Sequence, residues 1–498
     1  MGVLVRSQTV VTTTPADDFP RDSYTAKRLT SNLQSILSSS SSLKSSLRPP
    51  AFSPGYTPSS WYHFSLRTIV IALLPTLALL GAYCTWTLAS CNGTFKSIFA
   101  LIASENPKFP GTDDALLTAY TDVGWLDRQL TVLVTFFAPV VDLDQGALTL
   151  FTIFATGQFG AVWTLMVMES MRMGNRGRVV SLYVPRLGGS PCRFPYSLQG
   201  SIGTVALIFQ NIPYAVTVPT WLLLHLLSSP VARPFPGTHA SSVLLIDPWD
   251  LGILPASVTV GFIIPSILTS IHPPGPVPAT THQRLIALWQ AFPLWTVTAH
   301  YTLRSTLRWL SHQIFGPKAV GSRPQTALGT SYLSNARHVY RFVLFLCIGT
   351  HVPILALALV PDWAIPSAAP TLAHYASESL ASVYVPYLPL PAHQVSSQAE
   401  GAHTFLLWDL YVGSLAFICW AVLLYRNATT EKAVVDPHTS LPIYRELLLG
   451  QRTEDGMAWR KLVGKVVLWT VIGGPIGALA VLLWERDAIV RQKIKQGM

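Results

Sequence analysis

Eight stretches of the chain are uncharged or nearly so and long enough to cross about 30 Å of hydrocarbon at a rise of about 1.5 Å per residue. They lie near 68–88, 147–169, 202–226, 250–270, 284–303, 339–361, 404–425 and 462–484. A ninth segment, Trp125 to Val141, is shorter, contains Pro139 and opens on Asp127 and Arg128. That pattern is compatible with crossing, with re-entering or with lying at the interface. The hydropathy pattern therefore predicts an all-α integral membrane protein, a bundle of about eight transmembrane helices with an additional segment at 125–141. Residues 1–60 form a polar tail with the run Ser38 to Ser42 and the pair Pro49-Pro50. They hold too little apolar surface to fold alone and are expected to be disordered. Asp17, Asp18 and Asp22 argue against a transit peptide, and the first apolar run begins too late for a cleaved signal peptide. The expected organisation is a tail over 1–60, a bundle over 61–485 and a basic carboxyl-terminal tail over 486–498.

Composition adds to this picture mainly through its charges. Only 12% of the 498 residues are charged, and they cluster between the long apolar runs. The net charge of +10 comes from Lys and Arg in loops beside those runs. Attraction to anionic lipid headgroups explains that placement better than nucleic acid does. Orientation stays open: putting the basic loops 304–338 and 426–461 on the cytosolic side leaves Arg172, Arg176, Arg178, Arg186 and Arg193 on the other. Asn92-Gly93-Thr94 is a glycosylation sequon if the loop after the first helix is lumenal. The five cysteines, Cys84, Cys91, Cys192, Cys347 and Cys419, show no spacing that supports a zinc site or a disulfide framework.

Ionisable groups inside membrane helices are expensive, so each is a functional candidate. Asp409, in Leu407-Trp408-Asp409-Leu410-Tyr411, shares a helical face with Gly413, Ala416 and Trp420. The pattern reads as an acid beside a small-residue hollow with an aromatic floor, or as a helix contact in which Asp409 is hydrogen-bonded across the interface. Glu169 ends one apolar run and opens Glu169-Ser170-Met171-Arg172, where an interfacial ion pair with Arg172 competes with a catalytic role. Asp142 and Asp144 flank a short connection and read as loop carboxylates or as a second acid or base. Gln210, Tyr214, Thr217 and Trp221 form a polar stripe beside Asn211, between Pro213 and Pro219. Such a stripe lines an interior cavity or satisfies a kink. Gln290, beside Trp289 and Pro293, either orients a ligand or satisfies a neighbour. His225, His300 and His351 are expected to be satisfied helix-end or core histidines.

An apolar pocket with aromatic walls and one or two carboxyls suits a greasy substrate that reacts through a cation. A desolvated carboxyl in general stays protonated near neutral pH and can donate to an epoxide or alkene. The paired-carboxylate patterns that hold magnesium against a diphosphate are absent, as are G-x-S-x-G, HExxH and phosphate-binding glycine loops. A multi-pass transporter and a non-catalytic membrane helper are the competing classes. Intramembrane Asp409 motivates the first of these, although no inverted or parallel repeat is visible.

The ordered series Leu126-Asp127, Phe136-Phe137, Val141-Asp142, Glu169-Ser170 with Arg172, Gly174-Asn175-Arg176-Gly177, Phe209-Gln210, Trp289-Gln290 with Phe292-Pro293, and Trp408-Asp409 resembles the fungal membrane-bound terpene cyclases of the ascofuranone-pathway type. The resemblance spans roughly 115–484, with Leu407 where the family has glutamine. It implies cyclisation of an epoxidised isoprenoid chain on an aromatic or polyketide head, in fungal secondary metabolism, in the endoplasmic reticulum membrane, with no metal or organic cofactor. Asp409 or Glu169 is then expected as proton donor and Asp142 as a second acid or base. Substrate contacts are expected from Gln210, Asn211, Tyr214, Trp221, Trp289, Gln290, Trp408 and Arg172.

Overall fold

The computed structural model describes residues 65–176, 178–182, 211–233, 243–271, 277–316, 331–360, 370–391, 393–429, 433–435, 442–444 and 452–496. The 1–60 tail and Gln210 lie outside the described residues, and the helical unit runs from residue 64 onward. Its longer helices are α1 (Leu66–Cys91), α2 (Thr94–Ile102), α3 (Gly124–Val141), α4 (Ala147–Ser170), α5 (Tyr214–Ser228) and α6 (Pro248–Thr269). Then come α7 (Ala279–Trp289), α8 (Phe292–Phe315), α9 (Ser331–Leu357), α10 (Gln398–Thr429) and α11 (Arg452–Gln496). Two short helices, Pro370–Ala376 and Leu380–Tyr384, and a two-stranded hairpin, Ala433–Val435 with Pro442–Tyr444, complete the described structure.

Among the described residues, six helices are long and apolar enough to cross a bilayer: α1, α4, α6, α9, α10 and α11. The all-helical bundle predicted from the apolar runs is the observed architecture. Two predicted spans take a different form, each for a local reason. The 284–303 run is two helices, because Pro293 cannot continue the hydrogen-bond ladder of α7. The described part of the 202–226 run is the 15-residue α5, which starts directly after Pro213. The ninth segment is the 18-residue α3, which stands apart from the six by its polar content. The stretch read as a basic tail also continues α11 as helix through Gln496.

α4 is the centre of the bundle and is buried on every side along most of its length. It packs against α9 and α11, while α10 packs against α1, α5 and α11, and α6 against α8 and α9. Close approach rests on small residues, as expected where lipid offers no hydrophobic drive between helices. A Cβ on Gly81 would lie 2.5 Å from the Ala215 carbonyl oxygen, and one on Gly157 would overlap the Thr350 side chain. A Cβ on Gly160 would press on the Phe262 ring at 2.9 Å. α11 breaks at Gly473-Gly474-Pro475, where Gly474 has φ +68°. Gln158 of α4 repairs that break: its Nε2 donates to the Gly473 carbonyl at 3.1 Å and its Oε1 accepts from the Ile476 N–H at 3.0 Å. Asn92 folds inward and is 3% exposed, its Oδ1 accepting from the N–H and hydroxyl of Thr94. The sequon read from the sequence is therefore not presented to a glycan in this fold.

Candidate active site

Between α3, α4, α6, α7 and the first turns of α5 and α8 lies a cavity of about 160 Å³, closed on a further side by Leu406 and Asp409 of α10. Its walls are rings and aliphatic groups, including Phe137, Phe159, Trp163, Tyr214, Phe262, Trp289 and Phe292. The rings hold one another edge to face: Phe137 on Trp289 at 5.3 Å, Phe159 on Tyr214 at 5.1 Å and Phe262 on Phe292 at 4.8 Å between centroids. Trp289 is further fixed by its Nε1, which donates to the Ser266 hydroxyl at 2.9 Å. Hydroxyls at Thr152, Thr156, Ser266, Thr269 and Ser270 supply the polar lining.

Asp409 is the one carboxyl among the described lining residues. Its helix brings it against the start of α5, where the Ala215 N–H donates to Asp409 Oδ1 at 2.8 Å. That N–H belongs to the first turn of a helix and has no partner within α5, so the carboxyl acts as a cap supplied by another helix. The small-residue hollow expected beside Asp409 is filled: the Tyr214 ring occupies it, so close that a Cβ on Gly413 would lie 2.1 Å from the ring. Gly413→Ala is therefore expected to push Tyr214 into the cavity, at about 1–3 kcal/mol for overpacking. Product formation by membranes carrying the variant should fall more steeply than the amount of folded protein. An unchanged activity per folded molecule would refute the packing role of Gly413.

Glu169 lies outside the lining. It is 1% exposed and clasped by two guanidiniums, accepting from Arg172 Nη2 at 2.8 Å and from Arg486 Nη1 and Nη2 at 3.1 and 2.7 Å. Asp487 completes the set, accepting from Arg172 at 2.9 Å, from Arg486 at 2.7 Å and from the Tyr340 hydroxyl at 2.9 Å. Two cations and two anions thus neutralise one another in a dry site. The expected ion pair of Glu169 with Arg172 exists and is buried within the bundle. Asp142, half-buried after α3, accepts from the Asp144 N–H at 3.0 Å and from Gln145 Nε2 at 2.6 Å, which makes it the clasp of the α3–α4 connection.

The other residues singled out in the sequence fall in several places. Tyr214 and Trp289 line the cavity. Arg172 belongs to the buried ion cluster, and Trp221 lies 5.6 Å from His225 between ring centroids in the α5–α10 interface. Trp408 faces the other way, its Nε1 donating to the Tyr387 carbonyl at 3.0 Å, and Asn211 is exposed before α5. Gln290 is 4% exposed at the α7–α8 break, and neither atom of its amide finds a partner among the described residues. Each histidine is engaged through at least one ring nitrogen: His225 Nδ1 accepts from Trp420 Nε1 at 3.2 Å, His300 lies 3.3 Å from Asp250, and His351 lies 3.3 Å from the Tyr384 hydroxyl. His225 Nε2 has no hydrogen-bond partner among the described residues, against the expectation of a fully satisfied ring. Sequence reasoning missed the partners Arg486 and Asp487, whose signal was the charged string Glu485-Arg486-Asp487 directly after an apolar run. It also passed over the walls Phe159, Trp163 and Phe262, which carry no signal until the helices are assembled.

A bilayer-spanning helical bundle around an aromatic chamber, with one carboxyl among the described lining residues, is the class that fold and site define together. The sequence matches the CtvD domain family over residues 69–186 and 200–491, and the chain belongs to that family. It is 26% identical over 429 residues to the terpene cyclase ascI of Acremonium egyptiacum, spanning 86% of this chain and 92% of that protein. It is 25% identical over 430 residues to the terpene cyclase verU1 of Penicillium polonicum, spanning 85% and 95%. To the terpene cyclase ctvD of Aspergillus terreus it is 26% identical over 388 residues, spanning 76% and 88%. No solved structure matches the chain.

Proposed function

We propose that the protein is a terpene cyclase that closes rings in an epoxidised isoprenoid chain carried on an aromatic or polyketide head, in fungal meroterpenoid biosynthesis and in the endoplasmic reticulum membrane. Family membership and the names of the relatives support the class. The observation that carries the mechanism is the carboxyl of Asp409, the one carboxyl among the described lining residues of a chamber walled mainly by rings and aliphatic groups with a few hydroxyls. In this reading the Asp409 proton passes to the epoxide oxygen while a C–O bond opens. A neighbouring double bond supplies its electron pair to the carbon released, forming a C–C bond and moving the positive charge along the chain. Ring faces such as those of Phe159, Trp163 and Phe262 stabilise that charge, and the dry walls keep water from quenching it. Loss of a C–H proton ends the sequence, so the net change is an isomerisation that needs no oxidant or reductant.

The acid role goes to Asp409 rather than Glu169, because both oxygens of Glu169 are already engaged by guanidinium donors outside the lining. Asp142 is assigned to shaping the turn beside the cavity instead of to a second acid or base, since its oxygens are engaged within its own loop. The test is to supply microsomes containing the protein with an epoxy-farnesyl phenol. The expected result is a product of unchanged mass and altered chromatographic retention. Recovery of substrate alone from membranes that hold folded protein would overturn the assignment.

A further inference from the structure

The cavity has a direction, set by α4. Thr152, Phe159, Trp163 and Met166 share one face of that helix and all line the cavity. Thr152 and Trp163 are separated by about 16 Å along the axis, with Phe159 about 10 Å from Thr152. The acid is level with Phe159, because Phe159 packs on Tyr214 while the next residue, Ala215, donates to Asp409. The two ends differ in burial, although Phe151 beside Thr152 is itself fully buried. Trp163 and Met166 are almost fully buried at one end, whereas Thr152, Val141 and Ser270 are half-buried at the other. The Thr152 end is therefore the rim and the Trp163 end the floor.

Thr152 shares with Tyr214 and Ser414 a buried hydroxyl that makes no hydrogen bond among the described residues, and of these three it is the one at the rim. Buried helical Ser and Thr side chains ordinarily satisfy themselves on a backbone carbonyl. Thr164, Ser170, Ser257 and Thr296 all do so, and Thr149 donates to the Asp142 carbonyl. Thr152 Oγ1 is shielded from solvent and has no hydrogen-bond partner among the described residues, although its side chain borders the cavity. A hydroxyl left in that state costs free energy unless something enters the cavity to meet it.

Resting on the cyclase reading, we propose that Thr152 is the positioning residue for the polar head of the substrate, so that the molecule enters isoprenoid end first and its head stops at the rim. An amphiphile inserted this way keeps its polar head out of the floor, where Trp163 Nε1 is one buried donor among rings and aliphatic groups and most of the head would be desolvated without a partner. The spacing fits: at about 5 Å per four-carbon repeat, about 10 Å from rim to acid is two extended isoprenoid units, or three in a folded chain. The hydroxyl of Thr152 can donate to or accept from a phenol or carbonyl. In this arrangement the head is held at one end while the epoxide comes level with Asp409.

The experiment compares the wild type, Thr152→Val and Thr152→Ser on two substrates, an epoxy-farnesyl phenol and the same compound lacking the phenolic hydroxyl. With the phenol, Thr152→Val should raise KM about tenfold at little change in kcat, and Thr152→Ser should remain within about threefold of wild type. With the hydroxyl-free compound, wild type and Thr152→Val should be equal. An equal loss by Thr152→Val on both compounds, or no loss on either, would overturn the assignment of Thr152 while leaving the cyclase reading intact. Failure of the wild type to convert either compound would overturn both.

Discussion

Asp409→Asn is expected to lower cyclisation by a factor of about 10²–10⁴, the usual contribution of a positioned general acid. The substitution keeps the size of the side chain and an oxygen able to accept from the Ala215 N–H, so the contact between α10 and α5 survives. What it removes is the proton. The measurement is product per folded molecule in microsomes, with folding followed as the fraction that elutes as a single species in detergent. Asp409→Ala should lose the helix contact as well and give less folded protein. Full turnover by Asp409→Asn would sink the acid role.

The second large effect is on stability. Arg486→Met leaves Glu169 and Asp487 sharing Arg172 alone, an excess negative charge in an interior from which water is excluded. Breaking a buried ion set by removing one partner costs about 3–5 kcal/mol, enough to deplete the folded state of most proteins. Little Arg486→Met protein should therefore be recovered in folded form. Adding Asp487→Asn restores neutrality and keeps an acceptor for the Tyr340 hydroxyl, and it should return much of the lost yield. A single variant as abundant and heat-resistant as wild type would show that the cluster does not hold α4 to α11.

The two sites differ in how far they can be read from the chain. The membrane helices were legible because lipid demands long apolar runs, and α1, α4, α6, α9, α10 and α11 each fall on one. Breaks inside the runs were less visible. Pro293 was present in the sequence, yet the run around it continues apolar on both sides, so hydropathy alone joins α7 to α8. The charges of Glu169 and Arg172 could be paired with each other at three residues' spacing. Their partners could not, since Arg486 and Asp487 lie more than 300 positions away and come near only when α11 packs on α4. Asp409 stood out as an acid in an apolar helix. Its surroundings were harder to foresee: the glycine beside it reads as empty space in one dimension and receives Tyr214 from α5 in three. Trp221 and Trp408 show the opposite failure, because a stripe or a motif names a residue without saying which way the assembled helix turns it.

The anchor that holds Asp409 is a peptide N–H rather than a side chain. Every residue except proline provides that donor at position 215, so mutation along α5 has almost no way to take it away. The rings around the chamber enjoy no such protection and can change one at a time. Lineages descended from a protein built this way would be free to alter the fit of the pocket, and with it the skeletons they make, around an acid that stays in place.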